Sequence, residues 1–375
     1  MKKSSLLLSA VVLLGGLLAG CSSKATEQPA ANTIQIGLSG PISGTEAQYG
    51  EAYKNGAGLA VKEINDAGGI NGKKVELIIQ DDKGEPGEAV NVANKFTSNN
   101  SLLAVIGHFN SSATLAAAPI YNKNKIVQVS PSSSAPGVTN AGDYTYRVIT
   151  TDAFQASYLA QWSKELGYKK VAMIYEQTDF GLGLLDVYKN AAAQNNLDLV
   201  ASEAYVPGTK DFSTILTKIK EQQPDAIFIG GFYNEAALIA QQAEKLNLKT
   251  SYIGGDSLYS SALLDLGKQS VENFKMIGFF FPGGTNEQAN HFAKAYQAAY
   301  GTTPDNHAAY AYDAASVIME AIKKGGADRQ GIKTYLDTLK DFKGSTGTLT
   351  FDKNGDVQTV PQRLVVKDGK FQLFK

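Results

Sequence analysis

From residue 34 onward, short apolar runs alternate with longer stretches whose apolar positions recur at helical spacing. That is the pattern of strands and amphipathic helices taking turns. Residues 34–38 form one apolar run, closed by Ser39-Gly40-Pro41, a strand ending in a turn. Residues 47–67 then place Tyr49, Tyr53, Gly56, Ala60 and Ile64 near one helical face, and Gly68-Gly69 stops the helix. Strands are predicted at 75–79, 102–107 and 126–129, with helices at 88–99 and from Ala113, before a Ser/Pro/Gly-rich loop at 130–137. The alternation restarts with a helix at 154–166. Strands follow at 171–175, 199–203, 225–229 and 251–254, separated by helices at 184–195, 212–221 and 234–245. Beyond the apolar run 279–282, helices are predicted at 287–300, 308–324 and 331–339. Residues 349–357 break the pattern and read as a hairpin turning at Asn354-Gly355, and 360–374 read as β.

Repeated strand–helix units imply parallel sheets covered by helices on both faces. A chain of 375 residues has room for two such domains. The fold class is therefore α/β, with two doubly wound parallel-sheet lobes. Sheets of this kind bind ligands beyond the carboxyl ends of their strands.

Composition removes several function classes. Lys+Arg number 35 against 36 Asp+Glu, so no cationic excess exists to neutralise nucleic-acid phosphates. One Cys makes no intramolecular disulfide, and one thiol with three His makes no zinc site of the usual kind. The position of that Cys is informative. Met1-Lys2-Lys3 precedes an apolar stretch from Leu6 to Ala19, then Leu18-Ala19-Gly20-Cys21. Residues 1–20 thus read as a signal peptide, too short in its apolar part for the ~20 residues of a spanning helix. Its end resembles the lipobox of bacterial lipoproteins, which implies a lipidated Cys21 heading the mature chain. Residues 21–32 are small and polar, a flexible tether holding an extracytoplasmic protein to a membrane.

Catalytic and cofactor motifs are largely missing. Gly37-Leu-Ser-Gly40 and Gly181-Leu-Gly183, with Asp186 where a third glycine belongs, lack the dinucleotide spacing. Neither a phosphate-binding loop nor a nucleophile elbow occurs. Asp352-Lys-Asn354-Gly-Asp356 imitates a calcium loop, but Val357 stands where glycine is obligatory. His108 has no paired Cys or suitably spaced carboxylate and reads as a packing or hydrogen-bonding residue, and Trp162 as helix core. A binding protein without cofactor or metal fits better than an enzyme.

The strand-end loops carry what chemistry there is. Gly107-His-Phe-Asn-Ser111-Ser112-Ala-Thr114 runs into a helix, and Val129-Ser-Pro-Ser132-Ser133-Ser134-Ala-Pro136 is a second hydroxyl-rich loop. Hydroxyls and free N–H groups at a helix start suit a carboxylate, although simple N-capping accounts equally for any one such loop. In the other half, Phe180 follows Thr178-Asp179, Phe232-Tyr233 follows Gly230-Gly231, and Asp256 follows Gly254-Gly255. Aromatics and a carboxylate suit an ammonium group and an apolar side chain. Each aromatic taken alone is equally well explained by packing. Together the two halves describe a cleft for a zwitterion.

At this point the chain resembles the branched-chain amino acid (leucine/isoleucine/valine) binding proteins, substrate-binding lipoproteins of ABC importers with the type I periplasmic-binding-protein fold. The likeness runs through Ile36-Gly-Leu-Ser-Gly-Pro-Ile-Ser-Gly44, Ala47-Gln-Tyr49-Gly50 and Ala60-Val-Lys-Glu-Ile-Asn-Asp-Ala-Gly-Gly-Ile-Asn-Gly-Lys73. It continues through Asp81-Asp82, Val105-Ile-Gly-His-Phe-Asn-Ser-Ser112, Asp211-Phe-Ser213 and Gly344-Ser-Thr-Gly-Thr-Leu-Thr-Phe-Asp352. The resemblance implies two lobes joined by a multi-strand hinge: residues 33–151 with 283–355, and 152–282 with 356–375. It implies that Ser111 and Ser134, with Ser132 and Ser133 in the same loop, meet the ligand carboxylate. Asp256, faced by Phe232, would hold the ammonium, and Tyr49, Phe109 and Phe180 would wall the side-chain pocket. Four positions depart from the family: Ser134 replaces Thr, Phe180 and Phe232 replace Tyr, and Asp256 replaces Glu. The implied function is a monomeric receptor that captures a free amino acid by hinge closure and delivers it to a membrane permease. Capture of another small polar solute, such as a different amino acid, an amide or urea, and ligand sensing without transport, are also compatible with the resemblance.

Overall fold

The computed structural model describes residues 33–375; the signal peptide, Cys21 and the tether lie outside the described residues. The first sheet contains β1 (Thr33–Gly40), β2 (Lys74–Asp81), β3 (Leu102–Ile106), β4 (Val127–Ser130) and β5 (Thr145–Arg147). It runs in the order β2-β1-β3-β4-β5 and is parallel throughout. Its connecting helices are α1 (Ala47–Asp66), α2 (Pro86–Ser98) and α3 (Ser111–Lys123). The central strand β3 is buried on both faces, with Leu102, Ala104, Val105 and Ile106 fully inaccessible, which is why it reads as a continuous apolar run rather than an alternating one.

After α4 (Asp152–Glu165) the chain builds a second sheet from β6 (Lys170–Glu176), β7 (Asp198–Tyr205), β8 (Ala226–Gly230), β9 (Ser251–Gly254) and β10 (Lys275–Gly278). These strands are parallel in the order β7-β6-β8-β9-β10. Helices α5 (Asp179–Gln194), α6 (Ser213–Gln222), α7 (Tyr233–Lys245) and α8 (Ser261–Gly267) connect them. The chain then returns to the first sheet with α9 (Glu287–Tyr300), α10 (Asn306–Gly325), α11 (Arg329–Leu336) and the small hairpin β11 (Phe342–Gly344) and β12 (Gly347–Leu349). Finally β13 (Gln362–Lys367) joins β10 antiparallel, and β14 (Lys370–Leu373) pairs with β13.

The chain therefore passes between the sheets after β5, after β10 and before β13. The first and third crossings are joined by a parallel bridge between Thr150 and Val357. Alongside it, the Thr359 amide donates to Thr150 Oγ1 at 2.9 Å. The apolar run 279–282 is the second crossing, not a strand; the Phe279 and Phe280 amides donate to Asn306 Oδ1 at 3.1 and 3.0 Å.

The expected hairpin at Asn354-Gly355 is not formed. Asp352 Oδ1 accepts the amides of Asn354 and Asp356 at 2.8 and 3.0 Å, closing a tight turn on its own side chain. The Gly355 carbonyl accepts the Arg147 amide at 3.0 Å, so the turn docks on β5; across it the Asp352 amide donates to the Asp356 carbonyl at 2.9 Å, but no strand ladder extends from that bond. The hairpin in this region is β11–β12, whose Ser345 and Thr346 amides donate to the buried Asp313 carboxylate at 2.7 and 2.9 Å. Trp162 lies in the core of α4, as expected.

Helices α1 and α10 pack closely. A Cβ at Gly56 would lie 2.0 Å from the Ala308 carbonyl oxygen, whereas one at Gly58 would meet nothing nearer than Tyr300 Oη at 3.6 Å. Glycine costs about 1 kcal/mol in a helix interior relative to alanine, so only the close approach justifies it at Gly56. Gly56→Ala should lower stability by about 1–3 kcal/mol through overpacking. Gly58→Ala should be neutral or stabilising, and denaturant melts of the two variants check the contrast.

Candidate functional site

In each sheet the strand order places a point where the helical connections diverge, between β1 and β3 and between β6 and β8. Loops leaving the carboxyl ends there open a crevice. A cleft of about 540 Å³ lies at these loops. From the first sheet it receives Glu46 after β1, Phe109 and Ser111 after β3, and Ser132 and Ser134 after β4. From the second come Glu176 at the end of β6, Phe180 in the first turn of α5, Phe232 after β8 and Asp256 after β9. His307, in the first turn of α10, completes the wall.

The hydroxyl side is tightly built. Ser111 Oγ accepts the Ala135 amide at 3.2 Å, tying the two hydroxyl loops together. Ser132 Oγ bonds the Tyr53 phenol and donates to the Phe109 carbonyl at 3.1 Å. The Ser134 carbonyl accepts the Asp152 amide at 2.8 Å. Ser133 is turned away from the cleft lining: its hydroxyl donates to the Phe109 carbonyl at 3.0 Å and bonds Thr114 Oγ1 at 2.7 Å.

On the opposite side, Asp256 is 5% exposed and its Oδ2 accepts from Tyr310 Oη at 2.9 Å. Burial pushes its carboxyl up to about 6, against the pull of the Tyr310 and Gln155 side chains. Phe180 stacks on Phe232 with centroids 5.4 Å apart, and Phe232 meets Phe109 at 5.5 Å. Tyr49 sits behind this wall, stacked on Phe109 at 4.5 Å and fully buried. Its phenol donates to the Ser257 carbonyl at 2.7 Å and accepts the Tyr233 amide at 3.3 Å.

Glu46, Glu176 and His307 were not singled out from the sequence. Glu176 was legible in principle, being the last residue of an apolar strand run just before Thr178-Asp179. His307 lies one residue before the expected helix start, and its signal was Asp305, which caps α10 by accepting the Ala308 amide at 3.1 Å. His108 is fully engaged away from the cleft, bonding Asp82 Oδ2 at 2.6 Å through Nδ1 and Tyr121 Oη at 3.2 Å through Nε2.

A profile of the periplasmic binding protein family matches residues 33–366. The chain belongs to that family. Leu/Ile/Val-binding protein homolog 1 of Brucella suis biovar 1 (strain 1330) is 32% identical over 351 residues, spanning 91% of this chain and 93% of its own length. The branched-chain amino acid transporter substrate binding protein LivJ of Streptococcus pneumoniae, solved in complex with isoleucine, is 33% identical with a TM-score of 0.86 over 91% of this chain and 98% of its own. The leucine binding protein LivK of Thermotoga maritima is 29% identical with a TM-score of 0.85 over the same shares. The fold is thus the type I periplasmic-binding-protein fold, α/β with two parallel-sheet halves. Among the described residues no helix is long and apolar enough to cross a membrane.

Burial, with Glu46 and Glu235 nearby, pushes the Glu176 carboxyl up to about 8. Its proton is therefore held in the folded protein at a pH where the unfolded chain has released it. The associated stability is complete below about pH 4.5 and declines as pH rises through about 8. Glutamine at this position keeps the acceptor for Thr178 Oγ1 and has no charge to bury. Glu176→Gln should therefore melt a few degrees above the unaltered, ligand-free protein at pH 8, with the gap closing toward pH 5. Thermal melts across that range check the trend.

Proposed function

We propose that this chain is the receptor of an ABC importer, binding a free branched-chain amino acid (leucine, isoleucine or valine) outside the cytoplasmic membrane. The observation that carries the reading is the division of the cleft: serine hydroxyls come from the loops of the first sheet, and a carboxylate with aromatics from those of the second. The ligands named for the related proteins of known structure, isoleucine and leucine, agree with it.

In this reading Ser111, Ser132 and Ser134 receive the α-carboxylate and Ser133 backs their loop. Asp256 pairs with the α-ammonium beside Phe232. Phe109 and Phe180 hold the aliphatic side chain, with Tyr49 supporting them from behind. The lobes are residues 33–151 with 283–355, and 152–282 with 356–375. They close on the ligand about the three crossings, and the closed monomer docks on a permease without turning its ligand over. Ligand favours closure only through contacts made to both lobes at once. Export and anchoring run through residues 1–20 and a lipidated Cys21.

Removing the Asp256 carboxylate leaves a buried ammonium unpaired, a loss of about 3–5 kcal/mol, or roughly a hundredfold or more in affinity. Calorimetry of the ligand-stripped Asp256→Ala variant with leucine, isoleucine and valine tests this; undiminished binding would overturn the assignment. Because Asp256 must be ionised to pair, affinity should also weaken as pH falls through about 6. The anchor is tested separately. In a bacterial host the full chain should take up labelled palmitate and sediment with membranes, whereas Cys21→Ala should do neither. Equal labelling of the two refutes the anchor and leaves the receptor reading intact.

A further inference from the structure

Helix α5 carries a glycine, Gly183, early in its length where the helix itself asks for none. Alanine favours a helix interior over glycine, so the reason lies outside the helix. A Cβ at Gly183 would stand 2.7 Å from Pro136 Cδ and 3.8 Å from Asp152 Oδ2. The first of these is well inside the separation of about 3.5–4.0 Å at which carbon atoms settle. Pro136 opens the short 3-10 turn Pro136–Asn140 that follows β4. The contact is thus made between a helix of the second sheet and a loop of the first. The same helix meets the first sheet's side again where the Asp179 amide donates to Ser112 Oγ at 3.3 Å. Gly183 and Pro136 lie together in a groove beside the cleft, outside its lining.

Both partners in this contact are held from behind. The Ala135 carbonyl, directly before Pro136, accepts Arg147 Nη1 at 2.9 Å, and the Ala135 amide donates to Ser111 Oγ at 3.2 Å. On the other side, Thr178 Oγ1 caps α5 by accepting the Gly181 amide at 3.4 Å. A Cβ at Gly181 would lie 2.0 Å from the Glu176 carbonyl oxygen, so the first turn of α5 is pressed onto the end of β6. Leu184 and Tyr188 bury the opposite face of the helix in the core. Neither the loop nor the helix can give way alone. A side chain added at Gly183 is relieved by moving the two sides of the cleft apart rather than by bending either one.

We propose that Gly183 sets how far the two lobes close, the bare backbone of α5 meeting Pro136 being the stop at which both walls reach the ligand. The proposal rests on the amino-acid receptor reading and adds to it a residue that touches no ligand yet governs capture. One methyl group at this point props the lobes apart, so that the serine loops and the Asp256 wall no longer reach the same molecule. Because closure is favoured only through contacts made to both lobes, affinity falls for every ligand alike. With the lobes parted the methyl meets nothing, and α5 gains the better helix former. The two states therefore respond with opposite sign. Gly56 is a different case: it meets α10 within one lobe, where no lobe motion parts the pair.

Calorimetry of the ligand-stripped Gly183→Ala variant should show leucine, isoleucine and valine each bound about tenfold to a hundredfold more weakly than by the unaltered protein. Its ligand-free melting temperature should stand level with that of the unaltered protein or above it, which also shows that the variant is folded. Pro136→Ala removes the ring carbon that the methyl would meet. In that background the same glycine substitution should change leucine affinity by no more than a few-fold. Undiminished affinity in Gly183→Ala overturns the proposal, and so does an equal loss in the two backgrounds. A lower ligand-free melting temperature overturns it as well, since the contact would then be packing that never parts. Failure of the unaltered protein to bind any of the three amino acids refutes the receptor reading instead, an outcome distinct from all of these.

Discussion

The buried guanidinium of Arg147 governs the arrangement of the hydroxyl side of the cleft. Arg147 is the last residue of β5 and is fully inaccessible. Its Nε donates to Asp356 Oδ1 at 2.6 Å, and Nη1 to the Ser133 and Ala135 carbonyls at 3.2 and 2.9 Å. Nη2 donates to Thr139 Oγ1, and the Arg147 amide donates to the Gly355 carbonyl at 3.0 Å. A buried cation is tolerated only when its donors are filled. The serine loop, the turn at 352–356 and the start of the first crossing are therefore obliged to keep one mutual geometry. The loop's serines are presented by backbone that cannot shift without stranding a charge.

The cleft itself has the opposite electrostatic character. Burial pushes the Asp256 carboxyl up to about 6, that of Glu46 up to about 7 and that of Glu176 up to about 8, and behind the lining that of Asp152 up to about 7. Ser134 lies beside the Asp152 carboxyl without good hydrogen-bond geometry, and neither Asp152 oxygen accepts a hydrogen bond among the described residues. The one arginine nearby, Arg147, is spent on the loop carbonyls and Asp356. A cleft wall rich in under-compensated carboxyl groups resists ionisation when empty, and it gains from any cationic group that arrives. In the proposed reading, an ammonium paired with Asp256 would offset the cost of ionising that buried carboxyl and so couple ligand binding to fold stability through the same group.

How much of this was legible follows from local physics. Long helices and doubly buried strands announce themselves by periodicity and by continuous apolar runs, so most of both sheets could be read in advance. Strand β5 could not: Thr145-Tyr146-Arg147 has no apolar run, and it is a strand because β4 offers it a partner and Arg147 has loop carbonyls to fill. Asn354-Gly355 is a strong hairpin signal that loses to the Asp352 side chain, which supplies a more local closure. Within Ser132-Ser133-Ser134 the sequence marks the loop but not the face. The outer two line the cleft and the middle one points back. His307 escaped notice because nothing about an isolated histidine in sequence tells which nitrogens its neighbours will leave unfilled.

The set-back position of Tyr49 bears on how the cleft closes. It stands on α1, yet its phenol donates to the Ser257 carbonyl, just after β9, and accepts the amide of Tyr233, the first residue of α7. Beside it, Asn234 Nδ2 donates to the Thr45 carbonyl at 2.6 Å, and at the other rim the Asp179 amide donates to Ser112 Oγ at 3.3 Å. These are neutral hydrogen bonds between groups that water would satisfy if the rims parted, and each such exchange has a net worth of only about 1 kcal/mol. Bonds of that kind define the closed geometry closely while holding it weakly. Were the lobes to part as proposed, these rim bonds would be exchanged for water at little cost, and a ligand touching both sides at once would favour closure through the contacts it adds to both.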